Sequence, residues 1–250
     1  MNRRFVSIFI LAISFVLISC YTVPQTGRTT INLMDPRQEA KLGTDTFEEI
    51  KKKEKVSTDA KQIEIIQRVG KRIADVADQD IPNAKWEFVL FENKEPNAFA
   101  LPGGKVGVYT GILEITKDDA GLATVLGHEI AHAAARHGSE RISELQLLDL
   151  GAGVAAFTLS KESPKTRRWA MIAYGVVATV GPFPFSILPH SRMQESEADH
   201  IGLFIWQRPV THLKRRSPFG NGFASTRKKR VAHRSFFFLL ILRMKNVLPI

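Results

Sequence analysis

The sequence predicts an α+β fold that is mainly helical and carries one small sheet. Three observations lead there. Two amphipathic segments, from about Asp35 to Lys55 and from Thr58 to Ala77, repeat apolar residues at helical spacing; Ile63, Ile66, Val69, Ile73 and Val76 line one face of the second. The run Trp86-Glu87-Phe88-Val89-Leu90-Phe91 alternates as a strand does. A further helical pattern follows Thr116, where Leu122, Val125, Leu126, Ile130 and Ala133 recur along one side. No internal repeat is present, and the roughly 180 residues between Cys20 and Leu203 suffice for one domain.

The N-terminus sets the compartment. Asn2-Arg3-Arg4 is a short positive region, and Phe5 to Ile18 is apolar without a charge. At roughly 14 residues this stretch is short for a membrane span and suited to a secretory signal. It ends Leu17-Ile18-Ser19-Cys20, which resembles a bacterial lipobox. Residues 1–19 therefore read as a lipoprotein signal peptide, and 20–34 as a lipidated N-terminus and linker with the lipid on Cys20. An uncleaved anchor helix is the alternative, and either arrangement tethers the chain to a membrane. Tyr21 rather than Asp after the cysteine favours the outer membrane of a bacterial envelope, facing the periplasm. Cys20 is the sole cysteine, which excludes an intrachain disulfide and a structural thiolate–zinc site.

The helix after Thr116 carries the chemistry. Thr116 is its expected N-cap, and Asp118 and Asp119 suit the positive end of its dipole. Within it, His128-Glu129-Ile130-Ala131-His132 places two imidazoles one turn apart on one face, where both can ligate a single zinc ion. Glu129 projects about 100° away, positioned to deprotonate an attacking water rather than to bind metal. Ala123, Gly127, Ala131, Ala133, Ala134 and Ala135 keep the helix slim, so other elements can approach it closely. On this helix alone, two satisfied core histidines remain an alternative.

A third ligand decides between classes of zinc protease. One class requires a Gly seven and a His ten residues after the first His; Ala135 and Gly138 stand there, so it is excluded. Downstream, Ser191-Arg192-Met193-Gln194-Glu195-Ser196-Glu197-Ala198-Asp199 offers Glu195 and Asp199 four residues apart on one helix face. Glu195 can ligate zinc while Asp199 hydrogen-bonds a ligand histidine. Glu197 points elsewhere. Taken alone, this stretch reads equally as an acidic helix start.

The two metal motifs together resemble the HtpX and CAAX-prenyl-protease type of zinc metallopeptidase, in particular its bacterial lipoprotein and mitochondrial Oma-type branch. Asn97-Ala98-Phe99-Ala100-Leu101-Pro102-Gly103-Gly104-Lys105, then Val108-Tyr109-Thr110-Gly111, extends the resemblance, as do Arg136-His137 and Glu140-Arg141. It covers about Thr26 to Leu203. The resemblance implies a zincin-like metallopeptidase domain over 35–204, with a small sheet whose edge strand borders the active-site cleft. One Zn2+ per chain would be held by His128, His132 and Glu195, with Glu129 as general base and Asp199 orienting a ligand histidine. Asn97, Ala98, Phe99, Ala100 and Leu101 would align a polypeptide substrate by strand addition. Misfolded or damaged envelope proteins are the implied substrates; envelope assembly or chaperone partners are left open.

Residues 149–182 are apolar but interrupted by Lys161, Glu162, Lys165, Arg167 and Arg168, which predicts two buried helices around a turn rather than membrane spans. The net charge of +10 belongs to the tail: Ile205 to Ile250 holds eleven Lys plus Arg and no acid, leaving 24 basic against 25 acidic residues elsewhere. No nucleic-acid partner is therefore expected, although a basic tail binding phosphate or lipid is a rival reading. Relatives continue after the Ala-Asp with a different helix. Shifting the codons of Ile205 to Gly222 by one base, with permissible synonymous codons, can yield Tyr-Met-Ala-Lys-Ala-Gly-Tyr-x-Pro-Glu-Glu-Ala-Val-Thr-Phe-Trp-Glu-Arg-Phe, the last residue using the start of Phe223's codon; this is the pattern those relatives show. Residues 205–250 thus read as an aberrant, frameshifted tail on a C-terminally incomplete domain. The alternative function is a catalytically impaired lipoprotein that binds unfolded envelope proteins as a chaperone does.

Overall fold

The computed structural model describes residues 20–81, 84–160, 162–180 and 192–205. The expected signal peptide at 1–19 and the tail from 206 onward lie outside the described residues. Two compact units emerge, one from Met1–Asp35 with Arg136–Ser196, the other from Pro36–Ala135 with Glu197–Ile250. Their second boundary falls inside one continuous helix, residues 192–205, so that helix contributes to both.

In the first unit, strands β1 (Cys20–Thr22) and β2 (Thr29–Ile31) form an antiparallel hairpin. They are followed in space by helix α5 (His137–Thr158) and helix α6 (Pro164–Val180). The segment expected to be a linker is tied down. Arg28 grips Glu140 of α5 with both terminal nitrogens, at 2.7 and 2.8 Å, and Thr30 donates to the same carboxylate at 2.5 Å. Asn32 donates to Ser139, and the Leu33 amide to Ser143. Arg136 donates to the Met34 carbonyl and lies over the Tyr21 ring.

The Glu140 side chain is wholly buried. Burial works against its charge, but the Arg28 and Thr30 hydrogen bonds and the Arg28 charge outweigh that and hold its pKa below the usual carboxylate range. A carboxyl depressed in the folded state stabilises above its unfolded pKa, and the contribution disappears as pH falls through the folded value. We therefore expect the melting-temperature gap between the native chain and Glu140→Gln to be constant near neutrality. It should close as the pH drops below about 4.3; a gap unchanged down to acid unfolding would refute the assignment.

Two helices joined by a turn do occur in the apolar stretch, but the described part of this pair is not buried as the sequence suggested. Leu150, Val154 and Phe157 of α5 are 65%, 55% and 81% exposed, and Trp169 of α6 is 63% exposed. These side chains sit at i, i+4 and i+7 on α5, a stripe that no other described element covers. Among the described residues, no helix is long and apolar enough to cross a membrane.

The second unit begins with α1 (Pro36–Lys53) and α2 (Ala60–Ala77). Asp59 caps α2 by accepting the Lys61 and Gln62 amides. The expected stripe is its core face: Ile66, Val69 and Ile73 are 1–3% exposed, with Ile63 and Val76 half-buried at the margin. A three-stranded sheet follows, β3 (Glu87–Phe91), β4 (Ala98–Leu101) and β5 (Lys105–Tyr109), in the order β3-β5-β4. β3 runs parallel to β5 and β4 antiparallel to it, which leaves β4 at an edge. Gly103 and Gly104, at φ of +80° and +82°, make the tight β4–β5 turn, a backbone that side-chain-bearing residues resist. Phe47, Phe91, Phe99 and Tyr109 pack edge-to-face and stacked with centroids 6.1–6.4 Å apart, which fastens β4 to α1 and its sister strands. Helix α3 (Thr110–Thr116) and helix α4 (Asp119–Ala134) complete the unit with the end of α7, the helix of residues 192–205.

Candidate metal centre

Helix α4 owes its start to Asp118, whose carboxylate accepts the Gly121 amide at 2.8 Å. Asp119 occupies its first turn. Thr116, expected to be this cap, instead ends α3, with its hydroxyl on the Leu113 carbonyl. Lys117, at φ +62°, turns the chain between the two helices. The cap thus moves two residues because a short helix, not legible in the apolar pattern, occupies Thr110–Thr116. Leu122, Val125, Leu126 and Ile130 are at most 2% exposed and hold α4 in the core.

That burial fixes which way the histidines face. His128 is 7% exposed and His132 half-buried. Their rings stand nearly perpendicular, at 78°, with centroids 4.8 Å apart. The two Nε2 atoms lie 3.2 Å from each other. Two nitrogens bound to one tetrahedral zinc at about 2.0–2.1 Å would lie roughly 3.3–3.4 Å apart, so the spacing fits a shared ion. On the other side of the ring, His128 Nδ1 is 3.0 Å from Asp199 Oδ1, and both atoms are buried. With the Nδ1 proton held toward Asp199, the Nε2 lone pair would be left for a metal.

Asp199 belongs to α7, and Glu195 precedes it by one turn on the same unbroken helix. One ligand atom from each of His128, His132 and Glu195 falls within a cluster no wider than 4.8 Å. Glu129 follows His128 along α4 and is partly exposed, open to solvent water. Glu197 is buried at 7% exposure and is not among these three.

Close approach of α7 to α4 depends on Gly202, whose role is not legible in the apolar pattern. A Cβ on Gly202 would stand 3.1 Å from the Gly127 carbonyl oxygen and from the backbone N and Cα of His128. A larger residue at Gly202 would press on that backbone and push α7, and with it Asp199, off the histidine. The slimness expected of α4 is used at this point. A small residue just before the first histidine and another three after the aspartate was the signal available in the sequence.

The edge strand β4 packs on α4. Asn97 accepts the Tyr109 amide, so by alternation Phe99 and Leu101 turn their backbone groups to β5. Ala98 and Ala100 turn theirs to the open edge. The five expected substrate-strand residues therefore divide. Phe99 is a packing residue whose ring joins the aromatic cluster, and the two alanines carry the available N–H and C=O groups.

Residues 60–226 match Peptidase family M48. The chain belongs to that family. Among curated relatives, it is 38% identical over 140 residues to the mitochondrial metalloendopeptidase OMA1 of Schizosaccharomyces pombe, covering 56% of this chain and 37% of that protein. The mitochondrial metalloendopeptidase OMA1 of Homo sapiens is 28% identical over 203 residues, 78% of this chain and 38% of the relative. The beta-barrel assembly-enhancing protease of Escherichia coli K12 is 25% identical over 194 residues, 76% and 38% respectively. The chain spans less than half the length of these relatives. Family membership agrees with the mainly helical α+β, zincin-like architecture and with the HExxH helix at its centre.

Proposed function

We propose that this chain is a zinc-dependent endopeptidase tethered to the bacterial envelope. The observation that carries the reading is the His128–His132–Glu195 cluster with Asp199 behind His128. Two imidazoles and a carboxylate form a donor set suited to catalytic zinc, which when bound supplies Lewis acidity for water activation and carbonyl polarisation. The chain's own residues do the rest. Glu129 takes the proton of the attacking water and delivers it to the leaving amine nitrogen. Asp199 holds His128 in one tautomer and one ring orientation. Ala98 and Ala100 pair with an extended polypeptide, so backbone hydrogen bonds select for unfolded stretches rather than for one side chain.

Envelope proteins that are misfolded or damaged are the proposed substrates, in line with the name of the E. coli relative, a beta-barrel assembly-enhancing protease. Cys20 is exposed and outside any disulfide, as a lipid attachment site must be. The exposed Leu150, Val154, Phe157 and Trp169 suit a position against a lipid surface. Purified chain should contain zinc and cleave casein, and a chelator should stop the cleavage. Ala100→Pro removes an N–H that makes no bond to β5, so the sheet survives. Its kcat/KM should fall by about tenfold, the worth of one hydrogen bond of ~1.4 kcal/mol. Chelator-insensitive cleavage would overturn the zinc reading, and an unchanged kcat/KM the strand reading. Cys20→Ser should release the chain from the membrane fraction; retention there would refute the lipid anchor.

A further inference from the structure

The pair Glu140-Arg141 stands out in the sequence yet has no part in the chemistry above. Its contacts give it one. Glu140 is fully buried and gripped by Arg28 and Thr30 of the β1–β2 hairpin, which fixes the first turn of α5. The next residue, Arg141, donates from its Nε to Gln194 Oε1 at 2.8 Å, and the same Gln194 amide also lies against the Glu140 carboxylate and lowers its pKa. Gln194 is 1% exposed, one of the largest fully buried side chains, although it is an amide with every reason to stay in water. It lies on α7 immediately before Glu195.

We propose that Arg141 and Gln194 are positioning residues for the third metal ligand, with Glu140 and Arg28 as the clamp that holds Arg141 in place. The inference rests on the metal-site reading above. A helix is free to roll about its axis unless a side chain is pinned. Rolling α7 by 20° would swing a carboxylate ~6 Å from the axis by about 2 Å, enough to lose a metal–oxygen bond. Asp199 pins one turn of α7 through His128, and Gln194 pins the preceding turn through Arg141. Between the two pins, Glu195 has one rotational setting. The hairpin that directly follows Cys20 is thereby part of the ligand frame, because Arg28 is what keeps the Glu140 charge tolerable inside the protein.

The test uses the full chain and the variants Arg141→Met and Gln194→Met. Each is titrated with cobalt(II), read by its visible absorption, and with zinc in competition with a chelator; melting curves are recorded without metal. The expected result is a zinc affinity lower by about 10- to 100-fold in both variants, with an altered cobalt spectrum and near-native melting. Native affinity and spectrum in both variants would overturn the proposal. So would an Arg141→Met chain that fails to fold, since the pair would then be a determinant of the fold. A native chain that takes up no cobalt or zinc would remove the metal site itself and this inference with it. Binding by the native chain and equally by both variants removes only the inference.

Discussion

Glu129→Gln is expected to abolish casein hydrolysis, by at least about 10²–10⁴-fold, while leaving the zinc content at one per chain. The asymmetry follows from where the residue sits. His128 and His132 share a face of α4, and Glu195 is brought to them by α7, so the donor set is complete without Glu129. Glutamine keeps the volume and the hydrogen-bonding reach of glutamate but cannot take a proton at neutral pH. Substitution of His132 by alanine would instead lower metal content and activity together. The measurement is parallel metal analysis and turnover on one preparation. Retained hydrolysis with full zinc would remove Glu129 as the base, and loss of zinc would show that it supports the metal directly.

Restoring the alternative reading frame from Ile205 onward is expected to raise soluble yield several-fold and to raise kcat/KM with it. In α7, Ile201 and Ile205 are 1% and 0% exposed, so the helix is still making core contacts at the last described residue. The sequence as written then supplies Pro209, which has no amide hydrogen and cannot continue a helix. With permissible synonymous codons, the frame shifted by one base can encode Met-Ala-Lys-Ala here, a strong helix-forming run. Further on, Phe236 to Leu242 is an uninterrupted apolar run in a segment with eleven cations and no acid, a composition that favours aggregation or membrane sticking. Equal yield and kcat/KM from the two chains would refute the effect. Resequencing the locus and finding codons that do not spell the family pattern out of frame would refute the cause.

Much of the metal centre was legible because its signals are local. HExxH spacing and a Glu-x-x-x-Asp spacing each place two side chains on one helix face without reference to anything else. Helices α1 and α2 and strand β3 were legible for the same reason, their apolar periods being those of a single half-buried element. What escaped was set by neighbours. Thr116 looked like a cap until α3 claimed it, and the apolar stretch after 149 looked buried although Leu150, Val154 and Phe157 face outward. Apolar composition records a preference for leaving water, not which surface provides the shelter.

By itself, then, the sequence determined the family's kind of chemistry and its candidate residues, two histidines and a glutamate on one helix with the distant Glu195 and Asp199, together with a helical frame and a short sheet. Tertiary structure alone decided how these become one site. Nothing in the chain order says that Arg28, more than a hundred residues before Gln194, braces the helix that carries Glu195, or that Gly202 lets that helix press on His128. Spacing within an element is dictated by the geometry of its own backbone. The meeting of two elements depends on side-chain volume and buried charge on both, and those are matched only once the chain has folded.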